Sequence, residues 1–177
     1  MIFMSQSGLI DQSGPTRERD WDDWYFEHLR IMATVPGVFS AQRFKTRSPG
    51  YSPSLAMYGV ASADVFKGEY YLSVRGMGEW LPLIDRQWYM RNLFDGLARA
   101  PHVGDDQWLL VADRAAPDSA LAALNMTWLA VAGIDRSTPY RGIAVVNRDA
   151  ANATQANVAL YKPASGRYLN TREENAA

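Results

Sequence analysis

The sequence predicts an α+β fold in which two ferredoxin-like (split βαβ) repeats form an α+β barrel, with antiparallel sheets and helices on the outer face. Three observations predict it. An amphipathic helical stretch is followed directly by two strand-like segments around a Pro/Gly-rich turn. The order strand, helix, strand, strand, helix is then followed by a second strand, helix, strand, strand. Finally, Ser54–Ser62 matches Asn157–Ser165, with identities at Ala56/Ala159, Tyr58/Tyr161, Ala61/Ala164 and Ser62/Ser165. The organisation that follows is a first repeat with a Trp-rich extension over residues 1–104, a second, degenerate repeat over 105–170, and a polar tail over 171–177.

Residues 2–9 are short and β-prone, and Asp11 to Pro15 carry turn chemistry. A helix is predicted from about Thr16 to Thr34. At 3.6 residues per turn Trp21, Tyr25, His28 and Met32 share a stripe, flanked by Trp24, Ile31 and Val35, while Asp23, Glu27, Arg30 and Thr34 fall opposite. Pro36-Gly37 stops it, since neither residue readily continues a helix. Val38 to Lys45 alternates, with Phe39, Ala41 and Arg43 on one side and Ser40, Gln42 and Phe44 on the other. Ser48 to Pro53 is a turn, and Leu55 to Ala61 completes a hairpin. Ala63 to about Val74 reads as helix, Gly76-Met77-Gly78 as a break, Glu79 to Trp88 as a Trp-rich segment, and Tyr89 to Phe94 as a strand. In the second half, Gln107 to Ala112, Arg141 to Arg148 and Asn157 to Lys162 read as strands. Asp118 to about Ile134 reads as helix, Asp149 to Ala156 as a turn, and Thr171 to Ala177 as a frayed end.

Composition narrows the function. The chain has 177 residues, 47% hydrophobic and 21% charged, and no cysteine. The missing cysteines exclude disulfides, thiolate metal sites and thiol nucleophiles, and fit a reducing cytoplasm. A net charge of −1 with no basic run offers no electrostatic footprint for nucleic acid. No stretch reaches the ~20 apolar residues that span a bilayer, so a cytoplasmic location and no membrane partner are expected. Six Trp and nine Tyr must mostly be core, but the number leaves some to line a ligand site.

Trp24-Tyr25, His28, Val35-Pro36-Gly37 and the strand Ser40-Ala41-Gln42-Arg43-Phe44 resemble the EthD-like branch of the dimeric α+β barrel superfamily. The match is best over residues 18–62 and only architectural beyond about Asp95. The resemblance implies a pocket between sheet and helices, proton chemistry on a histidine or tyrosine, and a possible homodimer. That superfamily, as the resemblance implies, holds cofactor-free isomerases, lyases, cyclases and monooxygenases, some haem enzymes and many members without known activity. A cofactor-independent enzyme of lyase, isomerase or cyclase type is the expectation here. The second repeat lacks the signature, its region matching His28 falling near Gly133, so only the first is expected to carry chemistry.

His28 is therefore the candidate acid–base group, and burial would keep it neutral near pH 7. Tyr25, less than a turn away, and Tyr58, on a strand facing the helix, are the candidate hydrogen-bond donors. Trp21, Trp24 and Met32 are expected to line an aromatic or carbonyl-containing substrate, with Trp88 and Arg91 at the mouth. Arg43 reads either as an edge residue whose head reaches water or as a clamp on substrate charge. The alternative function is a non-catalytic barrel that binds a metabolite, with His28 structural. His102 with Asp105 and Asp106 offers only loop ligands, and no HExxH, GxGxxG or P-loop occurs. No metal and no cofactor are expected, and neither histidine argues for a haem-sized site.

Overall fold

A computed structural model describes residues 1–10, 14–148 and 157–174. The first half runs β1 (Ile2–Ser7), α1 (Gly14–Met32), β2 (Val38–Lys45), β3 (Ser54–Val60), α2 (Glu69–Val74) and β4 (Met90–Asp95). Its strands are ordered β4-β1-β3-β2, all antiparallel, which is the arrangement of a split βαβ repeat. The second half runs β5 (Gln107–Arg114), β6 (Thr127–Ile134), β7 (Tyr140–Asn147) and β8 (Ala159–Pro163). Their order, β6-β7-β5-β8, is the same pattern again. β4 pairs with β6 and β2 pairs with β8, so the eight strands close into one antiparallel barrel. A ninth short strand, β9 (Tyr168–Leu169), lies along β2, and α3 (Thr171–Glu174) follows it.

Strand alternation builds two apolar layers. Ile2, Met4, Phe44, Leu55, Met57, Phe94, Leu109, Val111, Leu129 and Ile143 fill the barrel. Phe3, Ala41, Ala56, Tyr58 and Leu93 point outward and meet Trp21, Tyr25, Leu29 and Met32 of α1. β1 and β3 are buried along their whole length because both faces are covered. An ion pair of facing strand residues, Asp113 and Arg141, reaches into the barrel. Arg141 is fully buried, with both its Nε and Nη2 2.7 Å from the Asp113 carboxylate and Nη2 also 2.7 Å from Gln6 Oε1. The fork-on-carboxylate geometry satisfies its donors.

The structure corrects several expectations. Asp118–Ile134 is not a helix: a 3-10 turn at Ser119–Leu124 ends on Asn125 in the left-handed region (φ 51°), and β6 follows. Ala/Leu propensity gives way to period-2 packing, with Leu129 and Val131 inside the barrel and Trp128 on the outer layer. The helix expected over Ala63–Val74 is a 3-10 turn (Ala63–Lys67) and α2, separated by extended Gly68. Ile31 is exposed rather than on the apolar stripe. Gly14 and Pro15 belong to α1 and Thr171–Glu174 is a helical turn, not a frayed end. Asp11–Ser13 and the turn expected at Asp149–Ala156 lie outside the described residues. The Ser54–Ser62/Asn157–Ser165 match joins strands that are not equivalent. β3 is the third strand of its repeat and β8 the fourth, and what stands where α1 would be is the turn Ser119–Leu124, not Gly133.

Candidate functional site

The site begins with a column of rings on α1. Trp21, Trp24 and His28 stand at i, i+3 and i+7, so successive turns stack them. Trp21 and Trp24 centroids are 5.1 Å apart and 11° from parallel; Trp24 and His28 are 4.9 Å apart and 8° from parallel. Tyr25 meets both Trp21 and His28 edge-on. Below the column Arg43 is wholly buried, its guanidinium 4.1 Å from the Tyr25 ring centroid and 5.7 Å from that of Trp21. Its Nη1 lies 2.9 Å from Asp22 Oδ1, off the line of a hydrogen bond, and Nε donates to Ser54 Oγ at 3.0 Å. Lys45 pairs with Asp22 and with Glu18. Cation–π contact and these ion pairs fasten α1 to the sheet.

Between α1 and the outer face of the first repeat lies a cavity of about 300 Å³. Phe3, Ser5 and Tyr58 form its sheet side, and Tyr25, His28 and Met32 its helix side. Tyr71, Met77 and Tyr89 close the far wall, and Arg75, Gly76 and Arg91 stand at the rim, where Arg75 and Gly76 are exposed. The register places these groups. Phe3 sits opposite Tyr58 on one side and Leu93 on the other, and Ser5 sits opposite Arg91. The Phe3 and Tyr58 rings stack at 5.5 Å.

The polar side chains of the lining are hydroxyls, two guanidiniums at the rim and one imidazole. Burial lowers the His28 pKa to about 4, so the imidazole is neutral at pH 7 and carries a free lone pair. No described residue hydrogen-bonds it. Burial raises the pKa of Tyr58 strongly and that of Tyr25, where Arg43 and the Ser7 and Ser5 hydroxyls pull the other way. Burial also raises Tyr71. These phenols keep their protons at neutral pH and can donate a hydrogen bond to a neutral or an anionic acceptor.

The structure thus gathers Tyr25, His28, Met32, Tyr58 and Arg91 of the sequence candidates around one cavity. Trp21 and Trp24 stand behind His28 as its support rather than in the wall. Arg43 neither reaches water nor faces the cavity; it is caged under α1. Trp88 packs against Gly8 instead. Sequence reasoning missed Ser5, Tyr71, Arg75 and Tyr89. Tyr89 shares the strand parity of Arg91, a signal that was available; nothing local marks Tyr71 or Arg75. Among the described residues no group of three His, Asp or Glu converges to hold a metal. A cavity at the lower limit of small-ligand sites with a ring stacked over its histidine does not fit a porphyrin.

No protein-family profile matches the chain, and no curated protein does. Among solved structures, a crystal structure provisionally named a chlorite dismutase matches with a TM-score of 0.55 at 10% identity, covering 93% of this chain and 94% of its own. No helix among the described residues is long and apolar enough to cross a membrane. The chain therefore shares the α+β barrel fold of that structure.

Proposed function

We propose that the protein is a cofactor-independent small-molecule enzyme of lyase, isomerase or cyclase type, in the EthD-like branch to which Trp24-Tyr25, His28 and Val35-Pro36-Gly37 point. One observation carries this reading: a neutral, unpartnered His28 faces a cavity whose other polar groups include buried tyrosine hydroxyls. In a tautomerisation, His28 takes a proton from the carbon beside a carbonyl. Tyr58 or Tyr25 donates a hydrogen bond to the oxygen on which charge develops, and the imidazolium returns the proton at the new position. Aromatic walls suit a flat substrate carrying a carbonyl or phenol. With no cysteine in the chain, a reducing cytoplasm is the compartment that suits it, and a homodimer is compatible with this reading.

The test is a panel of aromatic acids, phenols, quinones and lactones screened by thermal shift and then assayed for turnover. A ligand at about 100 times Kd adds ~2.7 kcal/mol. His28→Ala should keep the fold and lower turnover by about 10²–10⁴-fold. A second reading, a barrel that binds a metabolite without converting it, draws on one feature: no described residue hydrogen-bonds the imidazole, as the partner of a catalytic histidine usually does. Ligand binding with no turnover, and only a modest affinity change in His28→Ala, would establish it.

A further inference from the structure

We infer that the cavity takes a small single-ring anion, its carboxylate or phenolate held at the rim by Arg75 and its ring between the tyrosine walls. This rests on the proposal that the cavity is a small-molecule site. Its lining contains two arginines and no aspartate or glutamate. Arg91 is already shared with Asp135, its Nη2 3.3 Å and Nε 3.5 Å from that carboxylate. Arg75 is different: its side chain makes no ion pair or hydrogen bond among the described residues.

Backbone geometry puts Arg75 there. It caps α2, its N–H donating to Tyr71 O at 2.9 Å. Gly76 then turns the chain at φ +102°, with open space where a Cβ would stand. The guanidinium is thus left at an open rim beside the buried Tyr71. A planar fork of donors suits a carboxylate. A volume near 300 Å³ holds one ring with its substituents and little more. An anion would also repair a weakness of the site. A base as weak as isolated His28 moves protons poorly, and a negative charge nearby raises its proton affinity towards neutrality.

The experiment titrates the whole protein with benzoate, salicylate and 4-hydroxybenzoate, and with their methyl esters, by calorimetry. Imidazole NMR follows in parallel; with only two histidines the His28 signals are easily assigned. The expected result is that at least one acid binds, that its ester binds at least tenfold more weakly, and that Arg75→Gln weakens the acid by about tenfold without affecting the ester. Binding should also move the His28 titration upward. Acid and ester binding equally, both perturbing His28 and both indifferent to Arg75→Gln, would overturn the anion inference and leave the small-molecule site standing. No member of the panel perturbing His28 would overturn both.

Discussion

The His28 imidazole lies flat on the Trp24 indole, with centroids 4.9 Å apart and planes 8° from parallel. The contact matters because an indole face favours an imidazolium by ~1–2 kcal/mol, whereas burial works against the charge. Burial wins, since a fall from 6.5 to about 4 corresponds to roughly 3 kcal/mol.

A pH dependence of stability follows. The folded pKa of His28 lies below the unfolded one, so the unfolded chain binds the extra proton between the two values. The neutral imidazole's contribution is complete above pH 6.5 and is lost as pH falls towards about 4. Chemical unfolding of wild type and His28→Gln across this window should show wild type losing roughly 3 kcal/mol more than the variant. Parallel pH profiles would mean that the imidazole is solvated in the folded state.

Arg43 yields a prediction that separates support from substrate contact. Arg43→Ala empties a cage beneath Tyr25 and Trp21 and should cost on the order of 3 kcal/mol. Arg43→Met refills it with an apolar chain. Because Nη1 and Nη2 already lack hydrogen-bond acceptors, the methionine variant should lie within about 1 kcal/mol of wild type. Neither change should alter affinity for a cavity ligand by more than about twofold, since Arg43 lies outside the lining. Lost binding in a stably folded Arg43→Met would put the guanidinium against the ligand.

Much of this arrangement was legible in the sequence, for a physical reason. α1 carries a clean helical stripe ended by Pro36-Gly37, β2 alternates along its length, and β3 is a short apolar run bounded by the Ser48–Pro53 turn. The reading failed where two signals disagreed. Ser119–Ile134 is rich in Ala and Leu, yet Asn125 closes the turn and alternating Leu129, Ala130 and Val131 fit a barrel wall. Arg43 reads as an edge residue reaching water or as a substrate clamp, because local sequence does not show that Trp21, Tyr25 and Asp22 close over it. Arg75 and Tyr71 enter the cavity through a tertiary fold-back of α2 that no spacing rule encodes. The β3/β8 likeness reflects two buried strands under similar constraints, not equivalent positions in the repeats.

Gly37 tests the Val35-Pro36-Gly37 ending. Its φ is +80°, and an added Cβ would stand 2.7 Å from Val65 Cγ2, a buried side chain. Its carbonyl also accepts from Ala61 N–H at 2.7 Å, tying the end of α1 to β3. Left-handed strain and overpacking together should make Gly37→Ala about 2–3 kcal/mol less stable. Denaturant midpoints of the two proteins measure it; an unchanged midpoint would show that the turn relaxes freely. Ligand affinity should survive in the folded fraction.

Tyr58 and Tyr161 offer the sharpest comparison, because the same chemical change has opposite consequences at the two sites. The Tyr161 hydroxyl donates to Ser52 O at 2.6 Å inside the barrel. Tyr161→Phe removes that bond, strands a buried carbonyl and should cost about 1–2 kcal/mol while leaving cavity binding untouched. The Tyr58 hydroxyl hydrogen-bonds no described residue and borders the cavity. Tyr58→Phe should therefore leave stability within about 0.5 kcal/mol of wild type. If Tyr58 donates to the substrate oxygen, the same variant lowers turnover by about 10²-fold, the scale of a lost oxyanion donor. Unfolding curves and assays on both variants give four measurements. A Tyr58→Phe that is destabilised but fully active would reassign this hydroxyl to the core and leave Tyr25 as the donor.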